Sequence, residues 1–299
     1  MLELWGLGDL ALAMPFLRTA TAHARVTLLA KQHAAPLVAR FAPGVEHVPF
    51  AAPWTAFTGK YRLHRWPWRE LARTLRVLRG CHFDIGVSAR PDPRDHVLLA
   101  WADVRRRIGF PRAGSSLLLS DALERPVNPH RADQWRCLGE KLGWLLPATS
   151  GASRAGRRVV IHPGAGHPVR LWPAERFAEI AARLRASGWD VTVVDETAVN
   201  LDFLIDTLAS ADRFIGNDSG PGHIAALLGV PTFTIFGPQL PELFAPQHPQ
   251  AAWIEGAPCR YKPCFDACRF PAPHCILNLT VDQVWPRVQT WLDGQCSVR

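Results

Sequence analysis

Lysine is scarce in this chain: Lys31, Lys60, Lys141 and Lys262 are the only four, so thirty of its 34 basic residues are arginines. Arginine stays charged and forks onto carboxylates and phosphates, which suits acidic ligands. Also missing is any apolar run approaching the roughly 20 residues needed to span a bilayer. The opening stretch MLELWGLGDLALAMPFL has no basic leader, and Glu3 and Asp9 interrupt its apolar run. It is therefore not read as a signal peptide. Seven cysteines, an odd number, fit reduced thiols better than a disulfide framework. A cytoplasmic protein is expected. No short-period repeat or low-complexity tract interrupts the sequence.

What is present suggests two ordinary domains. The length of 299 residues allows about two cores, and 48% hydrophobic with 20% charged residues is a soluble globular composition. The formal charge of +8 favours anionic partners such as phosphate esters, acidic glycans or a membrane surface. Nucleic acid would also suit that charge, but no recognised binding module accompanies it. No nucleic-acid partner is expected.

Short β-like runs alternate with helical patterns from the start, which implies βαβ units and mostly parallel sheets. Strands are expected at 2–7, 25–30, 45–50 and 84–88, with helices at 9–22, 33–41 and 69–79. The breaker-rich stretch PATSGASRAGR at 147–157 reads as an interdomain linker. After it the pattern restarts, with strands at 158–162, 190–194, 214–217 and 232–236. Helices are expected at 174–187, 201–211, 221–228 and 281–292.

Three turns carry candidate chemistry. In FIGNDSGPGH, residues 214–223, an apolar strand stops at Asn217-Asp218 and a helix opens near Ser219. Gly220 and Gly222 allow close backbone approach, and Pro221 suits a first helical turn. The open amides of that turn are either an anion cradle, with Ser219 and His223 beside it, or simply a capped helix start. In VVIHPGAGHPVRLWP, residues 159–173, a second glycine turn (Gly164, Gly166) places Arg170 just before a helix. Spare amides and one fixed cation are what a diphosphate needs, though a plain loop with a solvated arginine has the same spacing. In WGLGDLALAMP, residues 5–15, Asp9 stands at a helix start after a strand. There it is either an N-cap or a base for an attacking hydroxyl.

Taken together, these pieces resemble glycosyltransferase family 9, the ADP-heptose:lipopolysaccharide heptosyltransferases. The matching segments are GLGDLALAMPFLRT, HPGAGHPVRLWPAERFAEIAARL, NDSGPGHIAALLGVPTFTIFGP and CRYKPCFDACRFPAPHCILNLTVDQVW. The resemblance implies an α/β GT-B fold of two Rossmann-like, doubly wound domains facing a central cleft. The expected divisions are an acceptor domain over 1–150, a nucleotide-sugar domain over 151–280, and a C-terminal helix within 281–299 that packs back on the first domain. It implies inverting transfer of a heptose, without metal or other cofactor, from an ADP-sugar substrate to an anionic glycolipid at the inner membrane surface. In that picture Asp9 is the base, and Gly164, Arg170, Asp218, Ser219, Gly220 and His223 hold the donor. Relatives using another nucleotide-sugar or acceptor, and a non-catalytic homologue that binds nucleotide or glycan, are the alternatives.

Two departures stand out. Arg170 occupies a position where the family usually has lysine. Between Val194 and Asn200 only five residues intervene, where relatives usually place a further helix and a glycine-rich turn with a glutamate. Glu196 is the candidate there to replace that glutamate. The basic, tryptophan-rich run from residue 60 to 79 nominates Arg62 and Arg65 as acceptor contacts, and RRR at 105–107 adds Arg105. Finally, Cys259, Cys264, Cys268 and Cys275 could form a metal site, but their spacing misses the paired knuckles of common zinc sites. Reduced thiols packing a proline-rich loop are the alternative.

Overall fold

The structure, a computed structural model, describes residues 1–56, 61–148, 151, 154–195 and 200–294. Parts of the 147–157 linker, Lys60, Glu196 and residues 295–299 lie outside them. The chain divides into two compact units, Met1–Pro147 and Ala148–Arg299.

The first unit runs α1 (Leu7–His23), β1 (Thr27–Ala30), α2 (Ala35–Phe41), β2 (Glu46–Pro49), α3 (Trp68–Gly80) and β3 (Ile85–Ser88). It continues through α4 (Pro93–Trp101), β4 (Arg106–Gly109), β5 (Asp121–Ala122) and α5 (Arg131–Lys141). Strands β1 and β2 pair in parallel, as do β3, β4 and β5. The opening residues join these two groups. Leu2 N–H donates to Val87 O at 3.0 Å, while Glu3 N–H donates to Leu29 O at 3.0 Å. The strand expected over 2–7 is thus only a bridge at Leu2, because the chain turns into α1 at Gly6-Leu7. Even so, that bridge sits mid-sheet, and the spatial order β2-β1-opening-β3-β4-β5 is a doubly wound Rossmann order. Leu2, Leu4, Leu29, Trp54, Leu71, Leu98 and Val104 form its core.

The second unit runs β6 (Arg158–His162), α6 (Ala174–Ala186), β7 (Asp190–Val193), α7 (Leu201–Ser210), β8 (Arg213–Asn217) and α8 (Gly220–Leu227). Then follow β9 (Thr232–Phe236), α9 (Pro241–Phe244), β10 (Ala252–Glu255), α10 (His274–Leu277) and α11 (Val281–Leu292). Its sheet has the order β10-β9-β8-β6-β7 and every pairing is parallel. Among the described residues β7 closes one edge, and α7 opens soon after, at Leu201. β9 is buried along its whole length, as a central parallel strand between helices must be.

Helix α11 buries its apolar stripe within the second unit. Val281, Val284, Val288 and Trp291 recur at helical spacing and bury in the second unit's own core with Phe177, Ile180 and Phe233. A Thr280–Gln283 capping box starts the helix, with each side chain answering the other residue's backbone N–H. An apolar stripe is a demand for burial, and here the nearest sheet meets it.

Candidate functional site

In doubly wound sheets, ligands bind beyond the carboxyl ends of the strands, at the point where the winding reverses. Each unit has one such point. In the second unit the chain leaves β6 toward β7 on one side and returns to β8 on the other. The turns after β6 and β8 therefore lie side by side, and they carry the residues singled out from sequence.

Asn217 ties these turns together. It is fully buried; its Nδ2 donates to Pro163 O at 2.6 Å, and its Oδ1 accepts from Trp172 N–H at 3.1 Å. One side chain thus fixes the Gly164 turn to the segment carrying Arg170. Just before it, Gly216 has no room for a side chain: a Cβ there would lie 2.8 Å from the Phe214 ring and 2.9 Å from His162 O. Ser219 occupies the N-cap of α8 but makes no side-chain cap bond; its Oγ instead donates to Asn217 O at 3.2 Å. The helix start is therefore not closed by that hydroxyl, in contrast to the plain-cap alternative. Gly164, Asp218, Ser219 and His223 are buried, and Gly220 is half-buried.

Arg170 lies between two carboxylates. Its Nη1 contacts Asp218 Oδ2 at 3.4 Å, and its Nε and Nη2 donate to Asp266 Oδ1 and Oδ2, both at 2.6 Å. Gln239, buried just after β9, donates from Nε2 to Asp266 Oδ1 at 3.4 Å. Neither Asp266 nor Gln239 was singled out from sequence. Asp266 is 96 positions from Arg170, and no local pattern reports such a pairing.

Asp266 belongs to the cysteine-rich loop. Cys259, Cys264, Cys268 and Cys275 are all free thiols, and they line one small cavity of about 20 Å³ together with Lys262 and His274. Burial pushes the Cys264 and Cys275 thiols above their usual range, so both stay protonated near neutral pH. No group of three or more metal-ligating side chains is arranged to hold an ion among the described residues.

In the first unit the winding reverses between the opening segment and β3. Asp9 follows the first and Arg90 follows the second. Asp9 sits in the first turn of α1, whose N-cap is Gly6, so the carboxylate is not the N-cap. Arg90 Nη2 donates to Asp9 Oδ1 at 2.9 Å, and the guanidinium stacks 4.1 Å above the Trp5 ring. Both charged side chains keep about a fifth of their surface exposed, 20% and 21%, so the pair is reachable from solvent.

Further charges surround this pair. Glu3 is buried; desolvation first, then the charge of Asp9, pushes its carboxyl up to about 8. Asp95, also buried, accepts from Trp54 Nε1 at 2.9 Å and Ser88 Oγ at 3.1 Å, and burial pushes it up to about 7. Burial lowers Lys31 from its usual range, and burial followed by neighbouring Arg90 pushes Arg131 down to about 10. Sequence reasoning missed Lys31, Arg90 and Arg131 as site residues. They come from three separate elements, and only the strand order brings them to Asp9.

The acceptor candidates fare differently. Arg105 precedes β4, at the amino end of its strand, where it pairs with Asp84 at 2.9 Å on the open surface. That is the opposite end of the sheet from Asp9, so Arg105 does not join the site. Arg62 and Arg65 are exposed in the turn before α3, beside exposed Tyr61, Leu63 and Trp68. Trp66 packs on Trp54 with ring centres 5.6 Å apart. Trp66 is thus partly in the core, while Trp68 is not.

A family model described as glycosyltransferase family 9 (heptosyltransferase) matches residues 196–272, the span holding Asp218, Ser219, His223 and Asp266. A lipopolysaccharide heptosyltransferase 1 from Pseudomonas aeruginosa is 24% identical over 245 residues, covering 66% of this chain and 69% of that protein. Among solved structures, a family 9 glycosyl transferase from Veillonella parvula superposes with a TM-score of 0.74 at 18% identity, covering 98% of this chain and 96% of the other. E. coli heptosyltransferase WaaC with ADP gives 0.72 at 18% identity, covering 97% and 99%. The same E. coli protein with ADP-2-deoxy-2-fluoro heptose gives 0.71 at 18% identity, covering 96% and 98%. These findings bear out the resemblance to glycosyltransferase family 9, and the fold is the GT-B fold of two Rossmann-like units.

Proposed function

We propose that the chain is an inverting glycosyltransferase that moves a heptose from ADP-heptose to an inner-core acceptor of lipopolysaccharide. The observation that carries this reading is the turn-to-turn meeting of Arg170 with Asp218 at the mouth of α8, where Asp218 lies inside the family-matched span. Solved relatives hold ADP and an ADP-heptose analogue, which supports the same donor class here.

In the proposed reaction the acceptor oxygen attacks the anomeric carbon while the bond from that carbon to the diphosphate oxygen breaks. Asp9 takes the hydroxyl proton. Arg170, the first amides of α8 and Ser219 receive the charge that grows on the departing ADP. Fixed donors of this kind contribute a few kcal/mol each, because they are already oriented when the charge appears. The positive end of the helix adds to the same effect. Gly164, Gly220 and His223 complete the proposed donor site. No metal has a role in this scheme.

The acceptor is proposed to be an anionic glycolipid. Arg62 and Arg65, beside exposed Tyr61, Leu63 and Trp68, suit contact with its headgroup at the cytoplasmic face of the inner membrane. No described helix is long and apolar enough to cross a membrane. A peripheral attachment fits that surface.

The short 195–199 connection favours one second reading, a homologue that binds nucleotide without turnover. Thermal shift with ADP, UDP, GDP and their sugars separates these readings. Stabilisation by ADP and ADP-heptose, followed by transfer, is expected. Stabilisation by UDP-sugars alone contradicts the donor assignment, and binding without transfer favours the second reading.

A further inference from the structure

We propose that Arg90 is the positioning residue of Asp9, holding the carboxylate ionised and aimed through a guanidinium clamped between it and the Trp5 ring. The inference rests on the reading of Asp9 as the base.

The geometry comes first. Arg90 and Asp9 emerge from adjacent positions in the sheet at the reversal of winding, although 81 positions separate them in sequence. The contact is 2.9 Å, and Trp5 lies only four residues before Asp9, so ring and carboxylate approach one guanidinium from the same turn. Arg90 is itself restrained by its surroundings. Its carbonyl lies 3.4 Å from Ser88 Oγ, and Asp92 caps α4 two residues later by accepting from Arg94 N–H at 3.0 Å. A planar cation stacked on an aromatic face has its direction fixed as well as its charge. Lysine offers no such plane.

The neighbourhood supplies the need. A base must enter the reaction ionised, so that it can accept the hydroxyl proton as the new carbon–oxygen bond forms and the bond to the diphosphate breaks. Buried Glu3 lies close enough to Asp9 for the two carboxyls to influence each other, and buried Asp95 acts on Glu3 in turn. Gathering acids in a low-dielectric site favours their protonated forms. Lys31 and Arg131 oppose this through space. Arg90 opposes it by direct contact.

The test is the pH dependence of kcat/KM for heptose transfer by wild type, Arg90→Gln, Arg90→Lys and Asp9→Asn. ADP-induced thermal shift confirms that each variant is folded and binds donor. Arg90→Gln is expected to lose about tenfold or more in kcat/KM, with donor KM unchanged and the acid limb displaced to higher pH. Arg90→Lys keeps the charge and loses the stacked plane, so kcat falls while the acid limb stays near its wild-type position. If the Arg90→Gln profile superimposes on that of wild type, the positioning role is overturned while the base reading stands. Undiminished turnover in Asp9→Asn removes the base, and the inference falls with it. A merely structural Arg90 would change the melting temperature without moving the acid limb.

Discussion

Asp266 grips Arg170 with both carboxylate oxygens, each 2.6 Å from a guanidinium nitrogen. A lysine cannot make that two-pronged contact, because its ammonium is a point charge. Arg170 is thus matched by a partner in the cysteine-rich loop. The pair is largely buried, with side chains 25% and 11% exposed, so it is not a freely solvated surface bridge. A double-mutant cycle of Arg170→Ala and Asp266→Ala in urea unfolding should return a coupling of about 1 kcal/mol. Additive effects would show that the contact contributes nothing.

Asn217 is the second point at which the proposed donor site is open to test. Replacing it with alanine leaves the Trp172 N–H and the Pro163 carbonyl without their buried partner. Each such orphan costs about 1–3 kcal/mol, so Asn217→Ala should be among the most destabilising single changes in the second unit. Chemical denaturation measures it, with the midpoint falling and the m-value unchanged. ADP should also stabilise this variant less than wild type, since the turns that would receive it are no longer tied together.

Glu3 gives a pH prediction with a definite sign. Its folded pKa, about 8, is raised above the ordinary 4.5, so between those values the folded state holds a proton that the unfolded state has released. Stability contributed by Glu3 is therefore greatest below about pH 4.5 and is lost as pH rises toward 8. Glu3→Gln can still accept the Trp5 N–H bond and has no proton to lose. Its stability relative to wild type should rise steadily from pH 5 to pH 8 and then level off. A difference independent of pH contradicts the buried, protonated carboxyl.

Much of this arrangement is legible in the sequence, for identifiable reasons. Strand-to-helix turns punctuated by glycine reveal themselves locally, and the parallel order follows from the helices between strands. Gly164, Arg170, Asp218 and Ser219 could therefore be placed at one sheet edge before their contacts were known. The partners could not. Arg90 and Asp266 act on residues 81 and 96 positions away, and neither sits in a pattern that marks it. Arg105 shows the converse error, since clustered charge suggested a ligand but the residue precedes its strand and pairs with Asp84. Helix α11 shows the same lesson in apolar form. Its stripe announced burial without saying against which sheet.

The most direct test of the central claim is a transfer assay with ADP-heptose and a heptose-deficient lipopolysaccharide acceptor, run on wild type and Asp9→Asn. Wild type should transfer heptose, and Asp9→Asn should fall by about a hundredfold or more while ADP affinity is unchanged. Transfer undiminished in Asp9→Asn, or turnover with UDP-sugars and none with ADP-heptose, would contradict the account.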